Sequence, residues 1–475
     1  MITVGRSIAA RCQLLLPAII SLGPAWCQVP DSATVTYRVI AITIEGNKTT
    51  KELVILRELT IHEGDTVTAK SLYARLERSR QNLQNTSLFN TVSLLPAYVG
   101  RDEVVVQVTL NERWYIWPTP IIEVADPNFN TWWRAGRDAD RLNFGLYLYR
   151  YNFRGLNETV YLKLQFGYAQ QYALRYKVPS LDKRQRWGMS VGGGYYQQKE
   201  ITIGTRDNVR YFLRPAEGNA RTSWHIDGDV SLRPRHDLRH TWRLSYTNAS
   251  VVDSTALLTS DYFAPLATNT AFLAAGYSLI WDTRDARAFA RTGNYMEFKV
   301  ERLGLGLLGD AEPDITFVYG TVKRWWQMHE RVTLATGAQG RAAVGGTVPY
   351  FVQEGLGYRY TVRGYEYYVI DGQHFALGKL NLLFQLIAPR DLYVKPIPLE
   401  AFRTVHIAVY LDLYADAGRV WDRQYDEANF LANEWVSGFG AGLDLVTSYD
   451  QVMRAEYSFN SLGEDGFFLH FTQPF

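Results

Sequence analysis

The chain has 475 residues, 47% of them hydrophobic, a proportion ordinary for a folded protein. Its 50 basic and 48 acidic residues leave a net charge of +2 with no basic block, which removes the electrostatic footprint a nucleic-acid partner requires. Aromatic side chains make up 14%, an excess suited to a boundary between apolar and wet surroundings.

Residues 1–27 read as an export signal. Arg6 and Arg11 precede an apolar stretch, Leu14 to Trp26, that Pro17 and Pro24 interrupt and that is too short to span a bilayer. Ala25 and Cys27 suit the small-residue positions before a cut, so the mature chain is expected to begin at Gln28, with 28–35 as a short linker. A lipoprotein reading, with Cys27 acylated, has bulky Trp26 against it. Both cysteines, Cys12 and Cys27, lie in this leader, so neither a disulfide nor a thiolate–metal site is expected. No later run of about 18 apolar residues occurs, and an exported chain without a spanning helix is either soluble or a closed barrel.

Residues 36–112 have a mixed grammar. Tyr37 to Ile44 alternates as a strand, and Thr49-x-x-Glu52 has the spacing of a capping box opening a helix to about Glu58. A second helix over about 68–85 places Leu72, Leu76 and Leu83 on one face, with Tyr73 beside them. Phe89 to Leu95 and Glu103 to Leu110 read as strands. This β-α-α-β-β order resembles a POTRA module, and Asn82-x6-Phe89-Asn90-x-Val92 resembles its helix-to-strand passage; an unrelated small α+β domain would have the same grammar.

From 113 to 475 the helical period disappears. Segments of about ten residues alternate in polarity between Gly, Asn, Asp and Pro turns. Thr159 to Gly167 sets Val160, Leu162, Leu164 and Phe166 against Tyr161, Lys163 and Gln165, one face fit for lipid and the other for a wet interior. Val405 to Asp416 places Asp412, Tyr414 and Asp416 on one face. We count sixteen or seventeen such segments, and the even number usual in outer-membrane barrels sets the expectation at sixteen. A soluble sandwich or propeller is the competing reading, but no repeat of propeller length is present. The final strand, Gly466 to Phe475, carries Phe467, Leu469, Phe471 and Phe475 on one face and resembles the C-terminal signal by which outer-membrane barrels are recognised for assembly.

Catalytic patterns fail on context. Gly188-x-Ser190-x-Gly192 matches a nucleophile elbow but runs on as a strand, with no helix after it. Gly304 to Gly309 matches G-x-G-x-x-G, yet a loop and another strand follow. His236 and His240 have helical spacing without a helix or a third ligand. Neither an enzyme, a metal site nor a cofactor is expected.

Thr361-Val362-Arg363-Gly364-Tyr365 carries the most specific resemblance. Together with Gly355-Leu356-Gly357, Asp371-Gly372 and Asp416-Ala417-Gly418-Arg419-Val420-Trp421-Asp422, it resembles the BamA/TamA superfamily of outer-membrane assembly factors and transporters. Asp282-x-Arg284-Asp285 with Gly293 resembles that family's hairpin between two middle strands. Asn152 to Gly155 resembles its early turn, and Arg175 to Leu181 its next strand and turn. The resemblance implies one periplasmic POTRA domain before a sixteen-stranded transmembrane barrel in the bacterial outer membrane. It also implies a lumenal loop whose Arg363 is latched to Asp416. Gln385 stands where many relatives have a second acid, so a latch with one charged partner is expected.

Pro118 and Pro120 lie in the first barrel strand, near Ile116 to Val124. They remove two donors there, so its pairing with the last strand is expected to be weak. Three functions fit: assembly of outer-membrane proteins, dedicated secretion of one partner, or a passive pore or surface-antigen barrel. The implied partners are outer-membrane lipids and unfolded outer-membrane or secreted clients, with periplasmic chaperones or accessory lipoproteins alongside.

Overall fold

The computed structural model describes residues 35–124, 139–259, 261–309, 312–424 and 426–470. The expected leader, Phe471 and Phe475 lie outside the described residues.

The N-terminal domain consists of β1 (Thr36–Glu45), α1 (Glu52–Glu58), β2 (Thr66–Thr68), α2 (Ala69–Gln84), β3 (Phe89–Val99) and β4 (Glu103–Glu112). The sheet order is β2-β1-β4-β3, with β1 and β4 parallel and the other pairs antiparallel. Ile55 and Leu59 meet Leu72, Leu76 and Leu83 of α2 over Val39, Val104 and Val106, forming one apolar core. Thr68 caps α2 by accepting from the Ser71 N–H at 3.3 Å. The capping box expected at Thr49 does not form: α1 is capped at Lys51, with no side-chain bond. Glu52 is then the first helical residue and cannot reach back over the end. Glu112 on β4 serves instead, accepting the N–H and hydroxyl of Thr50 at 2.6 Å each.

Sixteen strands follow in one antiparallel sheet. They are β5 (Ile116–Val124), β6 (Leu142–Phe153), β7 (Glu158–Gly167), β8 (Ala169–Val178) and β9 (Trp187–Gln198), interrupted by a separate hairpin, β10 (Ile201–Arg206) and β11 (Val209–Leu213). The sheet resumes with β12 (Arg221–Arg235), β13 (Leu238–Val251), β14 (Asn269–Asp282), β15 (Gly293–Leu303), β16 (Ile315–His329) and β17 (Val332–Gly345). It ends with β18 (His374–Tyr393), β19 (Thr404–Trp421), β20 (Trp435–Thr447), β21 (Val452–Asn460) and β22 (Asp465–His470). Each strand pairs with its neighbour in this order, and burial follows the pleat. On β21, Arg454, Glu456, Ser458 and Asn460 are buried inside, whereas Met453, Tyr457 and Phe459 are exposed outside. An outer surface of exposed apolar side chains over a charged interior is the arrangement a lipid surround selects.

The N-terminal domain sits on one mouth of this barrel. Lys51 donates its N–H to the Gly155 carbonyl at 2.9 Å. The Gln185 amide reaches the Leu53 carbonyl at 2.6 Å, and Ser87 donates to Asp450 at 2.8 Å. Arg233 clasps both oxygens of Glu58, at 2.6 and 2.9 Å. Between domain and mouth lies a cavity of about 870 Å3.

No backbone ladder joins β5 to β22 among the described residues. The phase of the β5 edge follows from one bond: the Tyr151 N–H donates to the Tyr115 carbonyl at 2.8 Å. With Ile116 opposite Arg150, alternation turns the backbone groups of residues 116, 118, 120 and 122 away from β6. The indole N–H of Trp114 occupies the Ile116 carbonyl on that outward side. Pro118 and Pro120 therefore remove donors from the edge turned away from β6 and none from the β6 ladder, the placement a sheet tolerates.

Candidate functional site

The segment between β17 and β18, residues 346–373, turns back into the barrel at the mouth opposite the N-terminal domain. Leu356, Val362, Tyr365 and Ile370 are buried there against Phe375, Leu377, Val420 and Val436 of the wall. Glycine makes this approach possible. A Cβ at Gly438 on β20 would stand 1.8 Å from the Arg363 carbonyl oxygen. Gly364 has φ +91, a left-handed conformation that non-glycine residues rarely adopt, and its carbonyl accepts from Asn460 at 2.8 Å. The Tyr365 hydroxyl meets Ser461 at 2.6 Å.

These contacts deliver Arg363 to a buried ionic cluster. Its Nε donates to Asp416 at 2.8 Å, its Nη2 donates to the other oxygen of the same carboxylate, and its backbone N–H adds a third bond at 3.1 Å. Nη2 also donates to Asn381 at 2.9 Å, and Nη1 lies 3.5 Å from Asp412. The guanidinium lies over the Tyr414 ring, 3.8 Å from its centroid. A planar fork against a carboxylate is directional as well as strong. Removing either partner would strand a charge away from water.

The second partner differs from the sequence expectation. Gln385 takes no part in the cluster; residues 381, 383 and 385 share one face of β18, and the one level with Arg363 is Asn381. Nor is the arginine limited to one acid, since Asp412 joins it from β19. Asp412 in turn meets Arg454 of β21 at 2.9 Å, and Arg454 clasps Asp444 of β20 at 2.6 and 3.0 Å. Lys379 reaches Asp416 at 3.6 Å. The network thus spans β18 to β21. Asp444 and Arg454 were visible in sequence only as inward positions of alternating strands.

The other singled-out residues lie apart. Asp282 accepts from Arg284 at 2.8 and 2.9 Å in the β14–β15 turn, and Asp285 accepts the N–H groups of Ala286 and Arg291. Gly293 has φ +108, and a Cβ there would sit 2.5 Å from the Thr283 carbonyl oxygen. This turn carries the N-terminal domain: Asn85 donates to the Asp285 carbonyl at 3.1 Å and accepts from the Arg287 N–H at 2.9 Å. Ser190 lies within β9, hydrogen-bonded to Asp229 at 2.7 Å and Arg175 at 3.2 Å, with no elbow around it. His236 and His240 contact the Arg57 carbonyl and the Tyr277 hydroxyl, two separate places.

Comparison with known proteins agrees with the fold. Residues 152–460 match the family described as Omp85 superfamily domain, and residues 37–113 match the POTRA family described as surface antigen variable number repeat. No curated protein matches the chain. BamA from Haemophilus ducreyi lacking POTRA domains 1–3 is similar, with a TM-score of 0.51 at 13% identity over 92% of this chain and 83% of that one. CdiB from Escherichia coli gives 0.53 at 14% identity, over 92% and 74%. At such identities the likeness is one of fold.

Proposed function

This chain belongs to the Omp85 superfamily, and from that premise we propose that it assembles client proteins into the outer membrane, as a non-enzymatic factor. It is an outer-membrane barrel with its POTRA domain in the periplasm. The observation carrying the proposal is the outward edge of β5, which no ladder joins to β22 among the described residues and whose outward donors at 118 and 120 are replaced by proline. An unfilled edge beside lipid is costly to leave bare and cheap to pair with an incoming strand.

The route begins at β3, the long edge strand of the POTRA sheet, where an extended client segment can add by backbone pairing. Pro96 within β3 suits an edge rather than a central strand. The POTRA contacts around the periplasmic mouth direct a captured segment along the rim toward β5. The Arg363 latch holds the loop against β18 to β21, so the wall beside the opening stays rigid while β5 and β22 part. Dedicated secretion of one partner would instead need a path through a lumen flanked by both the loop and the POTRA domain.

Quantitative outer-membrane proteomics after depletion of the protein tests this, with wild-type and Arg363→Ala rescue. Loss of many barrel proteins, restored by wild type and poorly by the variant, supports assembly. Loss of a single surface or secreted protein would mean dedicated transport, and an unchanged proteome would leave a passive barrel.

A further inference from the structure

We propose that Glu366, Glu456 and His470 form a divalent-metal site, suited to zinc, that ties the lumenal loop to the last two strands of the barrel. Glu366 follows the latch arginine by three positions on the loop, Glu456 points inward from β21, and His470 does so from β22. One ligand atom from each lies within 4.8 Å of the others.

The polar ends that meet here lack well-directed hydrogen bonds. Oε1 of Glu366, both carboxylate oxygens of Glu456 and Nε2 of His470 have no hydrogen-bond partner, although Glu456 is only 1% exposed. His470 Nε2 stands 3.0 Å from Glu456 Oε1. The Gly364 N–H holds the remaining oxygen of Glu366 at 2.9 Å, which leaves Oε1 turned to the other two residues. A buried carboxylate with no well-directed hydrogen bond is costly, and three ligand ends converging on one point suit a common partner.

The charge of the surroundings calls for a cation. Arg454 is 3.8 Å from Glu456, but it is shared with Asp412 and Asp444, while Arg363 and Lys379 are engaged by Asp416. With His470 neutral, as a metal ligand must be, three cationic side chains face five carboxylates: Asp412, Asp416, Asp444, Glu366 and Glu456. A dication balances that excess. One imidazole nitrogen with two carboxylate oxygens favours zinc over calcium or magnesium, which take oxygen alone, and leaves a fourth position for water. Donors about 2.1 Å from a tetrahedral zinc stand roughly 3.4 Å apart, so small side-chain rotations close the site. The separation of the three residues along the chain explains why no spacing motif announces them.

The test uses the full chain in detergent, stripped with a chelator and titrated with zinc chloride by calorimetry, with bound zinc counted by mass spectrometry. The site predicts one zinc per chain, with Kd about micromolar or tighter. Affinity should fall by roughly a hundredfold or more in His470→Ala and in Glu456→Gln. Glu366→Gln, on the loop rather than the wall, repeats the test where a strand variant fails to fold; heat-modifiable gel mobility identifies the folded variants. Cobalt in place of zinc should give the visible absorption of a tetrahedral site in wild type and lose it in His470→Ala. Absence of saturable zinc binding by folded wild type overturns the proposal. So does undiminished binding in folded His470→Ala, which would leave a protonated His470 paired with Glu456 as the better account. Neither result depends on which clients the barrel serves.

Discussion

Arg363→Ala is the most informative single perturbation of the loop. It deletes a two-point ion pair with Asp416, a bond to Asn381 and the stacking on Tyr414. Asp412 keeps Arg454 at 2.9 Å and Asn381 at 2.6 Å, so its charge stays compensated. Asp416 keeps Lys379, at 3.6 Å, and the backbone N–H of residue 363, at 3.1 Å. Removing one member of a buried pair costs about 3–5 kcal/mol. The residual lysine places this case toward the lower end, and the lost cation–π contact adds about 0.5–2 kcal/mol. At about 4 kcal/mol, the ratio of docked to released loop falls roughly a thousandfold. Limited proteolysis of residues 355–373 in the folded barrel reads that ratio, because cleavage follows the open population when closing is fast. Arg363→Ala with Asp416→Asn should recover part of the loss, since no anion is then stranded. Cleavage of Arg363→Ala at the wild-type rate would refute the latch.

Gly293→Val, forced to φ +108 with its Cβ against the Thr283 carbonyl, should destabilise the β14–β15 turn by about 1–3 kcal/mol and lower the melting temperature; an unchanged melt would contradict the steric reading. Burial alone would raise the Glu58 carboxyl, but Arg233 outweighs it and holds the group below the ordinary range. That contribution to docking is present above the ordinary carboxylate range and lost as pH falls through the depressed value. Spin-label distances between α2 and the β12–β13 turn should therefore lengthen only in strong acid. Glu58→Gln should lengthen them already at neutral pH; an identical acid transition in the variant would assign it elsewhere. Pro118→Ala with Pro120→Ala restores two outward N–H groups to β5, so the barrel should melt higher and insert clients more slowly, in a reconstituted assay that would show equal rates if the seam is irrelevant.

Much of the fold was legible because a barrel wall obeys a two-residue period with lipid on one side and ions on the other. Lys163 and Gln165 against Leu162 and Phe166 state that contrast outright. The hairpin β10–β11 stands apart by length, since its six and five residues fall short of the roughly nine a spanning strand needs. Within the site, Arg363 and Asp416 stood out through motifs, but polarity along β18 could not choose between Asn381 and Gln385, which share a face. Asp444, Arg454, Glu456 and His470 were unreadable as partners because the cluster closes across strands, and nothing local to any one strand encodes the register that joins them. At Thr49 the local signal misled because a carboxylate from β4 reached the helix end first.

The seam is the central claim, and a disulfide lock tests it most directly. With the native Cys12 and Cys27 replaced by serine, cysteine pairs placed on β5 between Thr119 and Glu123 and on β22 between Gly466 and Leu469 report on the seam alone. With oxidation verified by gel shift, client insertion into vesicles should stop in the locked barrel and return on reduction. A fully locked barrel that inserts clients at the wild-type rate would contradict the account.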